Sequence, residues 1–353
     1  MRLVDTPIRF RVRWGIGLAL LVVLVLAIGA CGAPAAPAEP AVAEPAAAVA
    51  AAVAAAAVAA PTEAPKAEPT ATSAPEAEPT ATAEPEPEPT AAAAEEPAMT
   101  FTGDPDSGKY IATLTGGCGC HFNRDLAGLA GGNKFEGPFG VAYARNITPD
   151  MDTGIGKYSQ EEIAALLRTG AGSGGWQLHP IMPYGAFSAL SDKEALDVAA
   201  YLHSLDPIVN AVPDRELASD PAPFTPAVAA PAEAPTDPVA RGAQLATIAR
   251  CGACHTPNNE DGSPNTDLML AGATVRDSIS ANITPDEATG IGSWTEAEIA
   301  NLMRTGTRPD GSAVEGAMAQ QIERRFNILT EADALTIAAY LKSVPAVSHD
   351  PFK

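Results

Sequence analysis

The sequence predicts an all-α protein, with two small helical domains in tandem behind a long unstructured tether. Three observations predict it. An internal repeat with a period of about 135 residues runs from residue 104 onward. Helix-start signals and apolar residues at helical spacing recur inside each copy, with no competing strand alternation. The stretch ahead of the repeat is almost wholly Ala, Pro, Glu, Thr and Val. That composition cannot bury enough apolar surface to offset the entropy of ordering.

In chain order, residues 1–30 read as an export signal of the lipoprotein kind. Arg2, Arg9, Arg11 and Arg13 form a positive region, residues 16–28 an apolar one, and Ile28-Gly29-Ala30-Cys31 closes the segment. Small residues before a cysteine resemble a lipobox, which implies cleavage ahead of Cys31 and a diacylglycerol on its thiol. The alternative is an uncleaved signal anchor with Cys31 a bystander. Either reading leads us to expect an exported protein held at the outward, periplasmic face of the cell membrane. Residues 31–103 form the tether. Its Ala/Val run at 46–60 is too short and too weakly apolar for a membrane span.

The net charge of the whole chain is −21. The signal contributes +3 and the tether −10, so the remainder from Met99 onward carries −14. An acidic surface of that size argues against nucleic acid, which needs Lys/Arg faces. It suits docking to basic patches on other proteins, and it equally suits plain solubility.

The repeat sets residues 104–213 as a first domain, 214–237 as a linker and 238–353 as a second domain. Gly108 and Gly242 each precede a Cys-His pair by twelve residues, Cys120-His121 and Cys254-His255. Asn146-Ile147-Thr148-Pro149-Asp150 matches Asn282-Ile283-Thr284-Pro285-Asp286, and Thr153-Gly154-Ile155-Gly156 matches Thr289-Gly290-Ile291-Gly292. Ser/Thr followed by acidic residues predicts helices over 159–169 and 295–305. Closing helices are predicted from Ser191-Asp192 and Thr330-Glu331, and they share Ala-Ala-Tyr-Leu at 199–202 and 338–341.

Cys251-Gly252-Ala253-Cys254-His255 is the most specific motif in the chain. Two thiols three positions apart, with a histidine directly after, form the attachment site for c-type haem. Each thiol adds across one vinyl group, and the adjacent imidazole reaches the iron. A disulfide, a redox dithiol or a zinc half-site are the competing readings. Zinc needs a second ligand pair, and a dithiol needs no histidine. The first copy departs from the pattern. It reads Gly117-Cys118-Gly119-Cys120-His121, so Gly117 stands where Cys251 does and Cys118 comes one residue late. Three outcomes stay open for it. Haem is bound through Cys120 alone, Cys118 reaches the second vinyl with local strain, or maturation fails.

A haem that carries electrons commonly takes His on one side and Met on the other. Met182 lies sixty-one residues after His121, and Met318 sixty-three after His255. Pro180-Ile181-Met182-Pro183 suits a stiff loop. Met318 lacks the flanking prolines, and three extra residues separate it from the last helix. Met303 competes with Met318 but falls at the helix-core position of Leu167. His179 competes with Met182. His203 is expected at the surface or in a structural role, and His349 carries no signal of its own.

These motifs, with Pro183-Tyr184, Leu190-Ser191-Asp192 and Asn210-Ala211-Val212-Pro213, resemble the cytochrome subunits of bacterial membrane-bound alcohol, aldehyde and sugar-acid dehydrogenases. Those subunits have three such domains. The layout also resembles the lipid-anchored cytochrome subunit of an alternative complex III-type quinol oxidoreductase. The resemblance implies two tandem cytochrome c domains and haem c on Cys251, Cys254 and Cys120, with Cys118 in doubt. It implies axial ligands His255 with Met318 and His121 with Met182. Function would then be transfer of single electrons in a respiratory or photosynthetic chain, as a non-catalytic subunit of a membrane oxidoreductase complex. A mobile tethered carrier is the nearest alternative. A di-haem peroxidase-like enzyme is the alternative from another class, and it would need one iron without a sixth ligand.

Overall fold

Each half of the chain opens with a helix whose start is written in the sequence. Asp104 caps helix α1 (Pro105–Leu114), accepting from the N–H groups of Asp106 and Ser107, and proline occupies the first helical position. Asp237 and Pro238 repeat the arrangement at α5 (Pro238–Ile248). The computed structural model describes residues 102–353. The signal segment, Cys31 and the tether up to residue 101 lie outside them.

The other long helices start where the sequence predicts. Ser159 and Glu162 form a reciprocal capping box at α2 (Gln160–Thr169), and Thr295 and Glu298 form one at α7 (Glu296–Thr305). Both helices end at a left-handed glycine, Gly170 and Gly306. Ser191 caps α4 (Asp192–His203), and Thr330 caps α9 (Glu331–Ser343). Three short helices complete the set: α3 (Tyr184–Phe187), α6 (Gly252–His255) and α8 (Gly316–Gln321).

In each half the first and last long helices cross, and the remaining long helix packs on the last. A glycine sits at each crossing. A Cβ on Gly108 would lie 1.8 Å from the carbonyl oxygen of Asp197 and 2.9 Å from Cβ of Tyr201. One on Gly242 would lie 1.9 Å from the oxygen of Thr336 and 2.8 Å from Cβ of Tyr340. Only glycine permits this approach. The Gly108/Gly242 and Tyr201/Tyr340 matches in the sequence are therefore the two sides of one helix contact. Leu114, Leu190, Leu245, Ile248, Leu329 and Ile337 are fully buried around these crossings.

The fold is mostly helical, and the expectation of an all-α protein needs one correction. Small antiparallel sheets stand between the first and second long helices of each half. Strands β1 (Lys134–Gly137) and β2 (Gly140–Tyr143) form a hairpin, joined at its edge by β3 (Glu216–Leu217). In the second half β4 (Ala273–Val275) pairs with β5 (Ser278–Ser280). Strands of three or four residues are too short to display a period-two pattern, so they read as loop.

The segment between the halves is fastened to the first one. Besides β3, Phe224 packs on Tyr184 with ring centroids 5.2 Å apart. The carbonyls of Pro231 and Ala232 accept from Asp192 and Lys193 at the start of α4.

The halves meet through a buried polar network. Tyr110 of α1 donates to Asp333 of α9 at 2.7 Å, and Gln244 of α5 donates to Glu194 of α4 at 2.7 Å. Tyr110 and Gln244 each lie two residues after a crossing glycine, and Glu194 and Asp333 each lie three after a cap. The two contacts are thus equivalent under a pseudo-twofold exchange of the halves. Arg241 bridges both acids, 2.5 Å from Glu194 and 3.3 Å from Asp333. With Glu194 buried, that guanidinium offsets what would be a costly isolated charge.

Candidate functional site

His121 ends a short 3₁₀ turn (Gly119–His121), and His255 ends α6. In both, Nδ1 lies 2.7 Å from a backbone carbonyl oxygen, Arg145 for His121 and Ala281 for His255. A carbonyl only accepts, so Nδ1 carries the proton and Nε2 presents its lone pair. Burial pushes the pKa of both rings below the ordinary histidine value, with the carbonyl bond opposing. Each ring is therefore a neutral, oriented Nε2 ligand.

The orienting carbonyls are held by the Asn-Ile-Thr-Pro-Asp loops, which is the physical role of that repeated motif. Asn146 directly follows Arg145. Its buried amide donates to the oxygen of Ile208 at 2.7 Å and to Thr153, and accepts from the N–H and hydroxyl of Thr148. Asn282 directly follows Ala281 and makes the same set: to Val347 oxygen at 2.8 Å, to Thr289, and from Thr284. Asp150 and Asp286 close the turn on Thr153 and Thr289. Each loop is thereby tied to the chain that leaves the last helix.

His349, without signal in the sequence, belongs to this frame. Its N–H donates to Thr289, and Nδ1 lies 2.9 Å from the oxygen of Ala271. Asn210 does the same in the first half, to Thr153 and Ala130. Continuing the repeat alignment past the last helix would have paired Asn210 with His349.

Of the four described cysteines, all free thiols, Cys118 and Cys251 are half-buried against the apolar core, while Cys120 and Cys254 are exposed. Burial pushes the Cys118 and Cys251 thiols up to about 11. Among the described residues, no cluster of three or more His, Cys, Asp or Glu side chains is placed to hold a metal ion. Zinc at the Cys251–Cys254 pair therefore finds no completing ligands there.

Met182 and Met318 are both half-buried and pack against the apolar core. Met182 lies in a tight turn, its N–H donating to His179 oxygen and its own oxygen accepting from Tyr184. Met318 lies on α8, which touches β5, and α6 with His255 touches β4. One hairpin thus adjoins both candidate ligand segments. The β1–β2 hairpin does the same in the first half. Phe139 in its turn stacks on His179 at 4.3 Å, three residues before Met182, and Asn133 before β1 clasps the carbonyls of Cys120 and Phe122. His179 is occupied in that stack, with Nδ1 accepting from Ile181. Met303 is buried in α7, the core role its repeat position predicts. His203 is buried, not at the surface. It faces the backbone of Ile155 and Tyr158, and its Nε2 lacks a partner. Lys342 stands at the matching place in the second half and donates to the oxygens of Gly292 and Trp294.

Sequence reasoning missed Arg325. It lies on a π-helical turn (Ile322–Phe326), in the stretch between Met318 and the last helix where the second half is three residues longer. Its guanidinium donates to the oxygens of Leu114 and Ala249, the C-terminal ends of α1 and α5, and covers Phe326 at 4.5 Å. Burial lowers its pKa, and the nearby thiols of Cys251 and Cys254 oppose that shift.

The donor set fits haem c. Paired thiols, a neutral imidazole with Nε2 free, and a thioether on an apolar rim are what that group requires. Comparison with known proteins agrees. Residues 239–345 match the family described as Cytochrome c. The chain is 36% identical over 257 residues to the fructose dehydrogenase cytochrome subunit of Gluconobacter japonicus, covering 68% of this chain and 52% of that protein. It is 32% identical over 284 residues to the cytochrome c subunit of the quinone alcohol dehydrogenase of Gluconacetobacter polyoxogenes, covering 71% and 59%. It is 29% identical over 270 residues to a diheme cytochrome c-type protein of Cereibacter sphaeroides, covering 70% and 88%. The chain spans between half and three-fifths of the length of these two dehydrogenase subunits.

Proposed function

Because the chain is a c-type cytochrome with haem c as its cofactor, we propose that both halves are cytochrome c domains and that the protein passes single electrons as a non-catalytic subunit of a membrane oxidoreductase. One observation carries the reading. The imidazole–carbonyl pair recurs at 2.7 Å in both halves, on the same Asn/Thr/Asp frame. A frame that positions a histidine this closely in two places supports two sites.

Haem c supplies a one-electron ferric–ferrous couple. Cys251 and Cys254 would hold it in the second domain, with His255 and Met318 as the side chains offered to the iron. Cys120 with His121 and Met182 would do so in the first. The carbonyls of Arg145 and Ala281 fix each imidazole's tautomer and aim. The Ile, Leu and Ala core excludes water, which keeps the reorganisation that accompanies a change of charge small. His255 with Met318, and His121 with Met182, would together supply the iron's protein ligands and leave no position open for a substrate, which is what separates this reading from a peroxidase. Counting haem by pyridine haemochrome against protein concentration tests it. Two haems per chain and low-spin spectra in both oxidation states are expected. One haem per chain, or a high-spin ferric component, would overturn it.

Names of the relatives support a dehydrogenase complex as the partner. A quinol-oxidising complex is the second form of the same proposal. Purification in mild detergent should recover the chain in a large assembly. Recovery as a single chain would favour the mobile carrier. We place the protein at the outward membrane face through a lipid on Cys31. Cys31→Ala should move it from the membrane to the soluble fraction, and no change would refute the anchor.

A further inference from the structure

The first copy lacks a cysteine where the second has Cys251. Backbone hydrogen bonds fix that register. The N–H of Gly117 donates to Ala112 oxygen at 2.8 Å, as the N–H of Cys251 donates to Ala246 oxygen at 3.0 Å. Gly117 is therefore the true backbone equivalent of Cys251, and Cys118 is one position late.

The chain compensates in the turn that follows. In the second half the N–H of His255 donates four residues back, to Cys251 oxygen, at 3.0 Å. In the first half the N–H of His121 donates three residues back, to Cys118 oxygen, at 2.7 Å. The α turn has become a 3₁₀ turn. Four α-helical steps of ~1.5 Å and three 3₁₀ steps of ~2.0 Å both advance ~6 Å, and both complete about one revolution. The first thiol and the histidine thus stand one turn apart, on the same face, in either half.

Entry to the shortened turn demands left-handed backbone. The second half also enters through a left-handed residue, Arg250 at φ 61°, the match of Gly116 at 119°; the shortened turn adds Gly117 and Cys118 at 65° and 54°, where Cys251 has φ −55°. Two glycines adopt such angles freely, and nothing lies within 4 Å of a Cβ built on either. Cysteine does not, because its Cβ crowds the backbone in the αL state. That crowded state brings Cys118 to the surroundings of Cys251. Both are half-buried against the same apolar core, on which Tyr201 and Tyr340 of the two last helices also pack.

We infer that Cys118 is a haem-attachment residue, so that Cys118-Gly119-Cys120-His121 forms two thioether bonds despite its shortened spacing. The inference rests on the two-haem reading above. In each bond the S–H adds across a vinyl C=C. Sulfur joins the vinyl carbon next to the ring, and the hydrogen goes to the terminal carbon. No oxidant or reductant is consumed.

The test uses the full-length holoprotein. It is denatured, its free thiols are alkylated, and it is digested with trypsin, which cuts after Lys109 and Arg124. The resulting 110–124 peptide is weighed. Haem with no alkyl group is expected, as for the 251–276 peptide of the second half. Haem with one alkyl group would overturn the inference and leave two haems standing. An alkylated peptide without haem would overturn the two-haem reading itself. In Cys118→Ala the haem count should hold, while the pyridine haemochrome α-band moves to longer wavelength because one vinyl stays conjugated. An unmoved band would also overturn the inference.

Discussion

Asn282 should be among the most costly single side chains to remove from the second half, for reasons that can be counted. The residue is 2% exposed. Its amide donates to Thr289 at 2.9 Å and Val347 oxygen at 2.8 Å, and accepts from the N–H and hydroxyl of Thr284 at 2.9 and 2.7 Å. A net ~1 kcal/mol per hydrogen bond, with the Thr284 N–H left stranded in a buried site, gives a loss of about 3–5 kcal/mol for Asn282→Ala. That is a fifth or more of the ~5–15 kcal/mol that holds a domain folded. Urea unfolding of the holoprotein measures it. The matched control is Thr295→Ala, which removes an exposed helix cap and should cost about 1 kcal/mol. A second readout follows from position. Asn282 adjoins the carbonyl that orients His255, so the low-spin haem spectrum should weaken at denaturant levels where the wild type is unchanged. A loss under 1 kcal/mol, or one no larger than that of Thr295→Ala, would refute the assignment of this motif as the frame of the site.

Three further outcomes are expected. Arg241→Ala strands Glu194 and Asp333 between the halves and should destabilise by about 3–5 kcal/mol in urea unfolding, with partial recovery on adding Glu194→Gln. Gly242→Ala drives a Cβ to 1.9 Å from Thr336 oxygen and should lower stability by roughly 1–3 kcal/mol, whereas Gly185→Ala, whose nearest neighbour is Phe224 at 3.9 Å, should stay within ~0.5 kcal/mol. Burial lowers the pKa of His203 below the 6.5 of a free imidazole, so the unfolded chain takes up its proton first. Stability should therefore fall as pH drops through and below about 6.5, and His203→Gln should flatten that decline when unfolding free energy is measured between pH 5 and 7.

The long helices were legible because their signals are local. Ser159 with Glu162 and Thr295 with Glu298 declare helix starts within four residues. The repeat supplied what one copy could not, since the recurrence of Asn146 and Asn282 marked them before any partner was known. Illegible features were those that depend on contacts far along the chain. The hairpins are too short for periodicity. The role of His349 rests on the oxygen of Ala271, 78 residues away. The αL state of Cys118 cannot be inferred from residue types, because cysteine does not favour it. The sequence therefore left three outcomes at the first site, and backbone geometry favours one of them.

Pseudo-twofold pairing makes the two sites neighbours, and the exceptions to the symmetry make them unequal. Both arginines at the junction come from the second half. At the place of Arg325 the first half has Ala186, since Phe187 and Leu190 correspond to Phe326 and Leu329, all four buried. The guanidinium therefore sits beside Cys251 with no counterpart at Cys118. It also binds the C-terminal carbonyls of α1 and α5, the helices that lead into the two Cys/His segments. A buried cation favours the more negative, ferrous state of an adjacent haem, so the second haem is expected to hold the higher potential. Electrons would then run from the first domain to the second. Potentiometric titration of Arg325→Ala should lower the higher potential and spare the other. A tenfold change in the reduction equilibrium corresponds to 59 mV for one electron, so even a threefold effect is resolvable. Equal shifts in both haems, or none, would mean that the asymmetry of this junction does not set the direction of transfer.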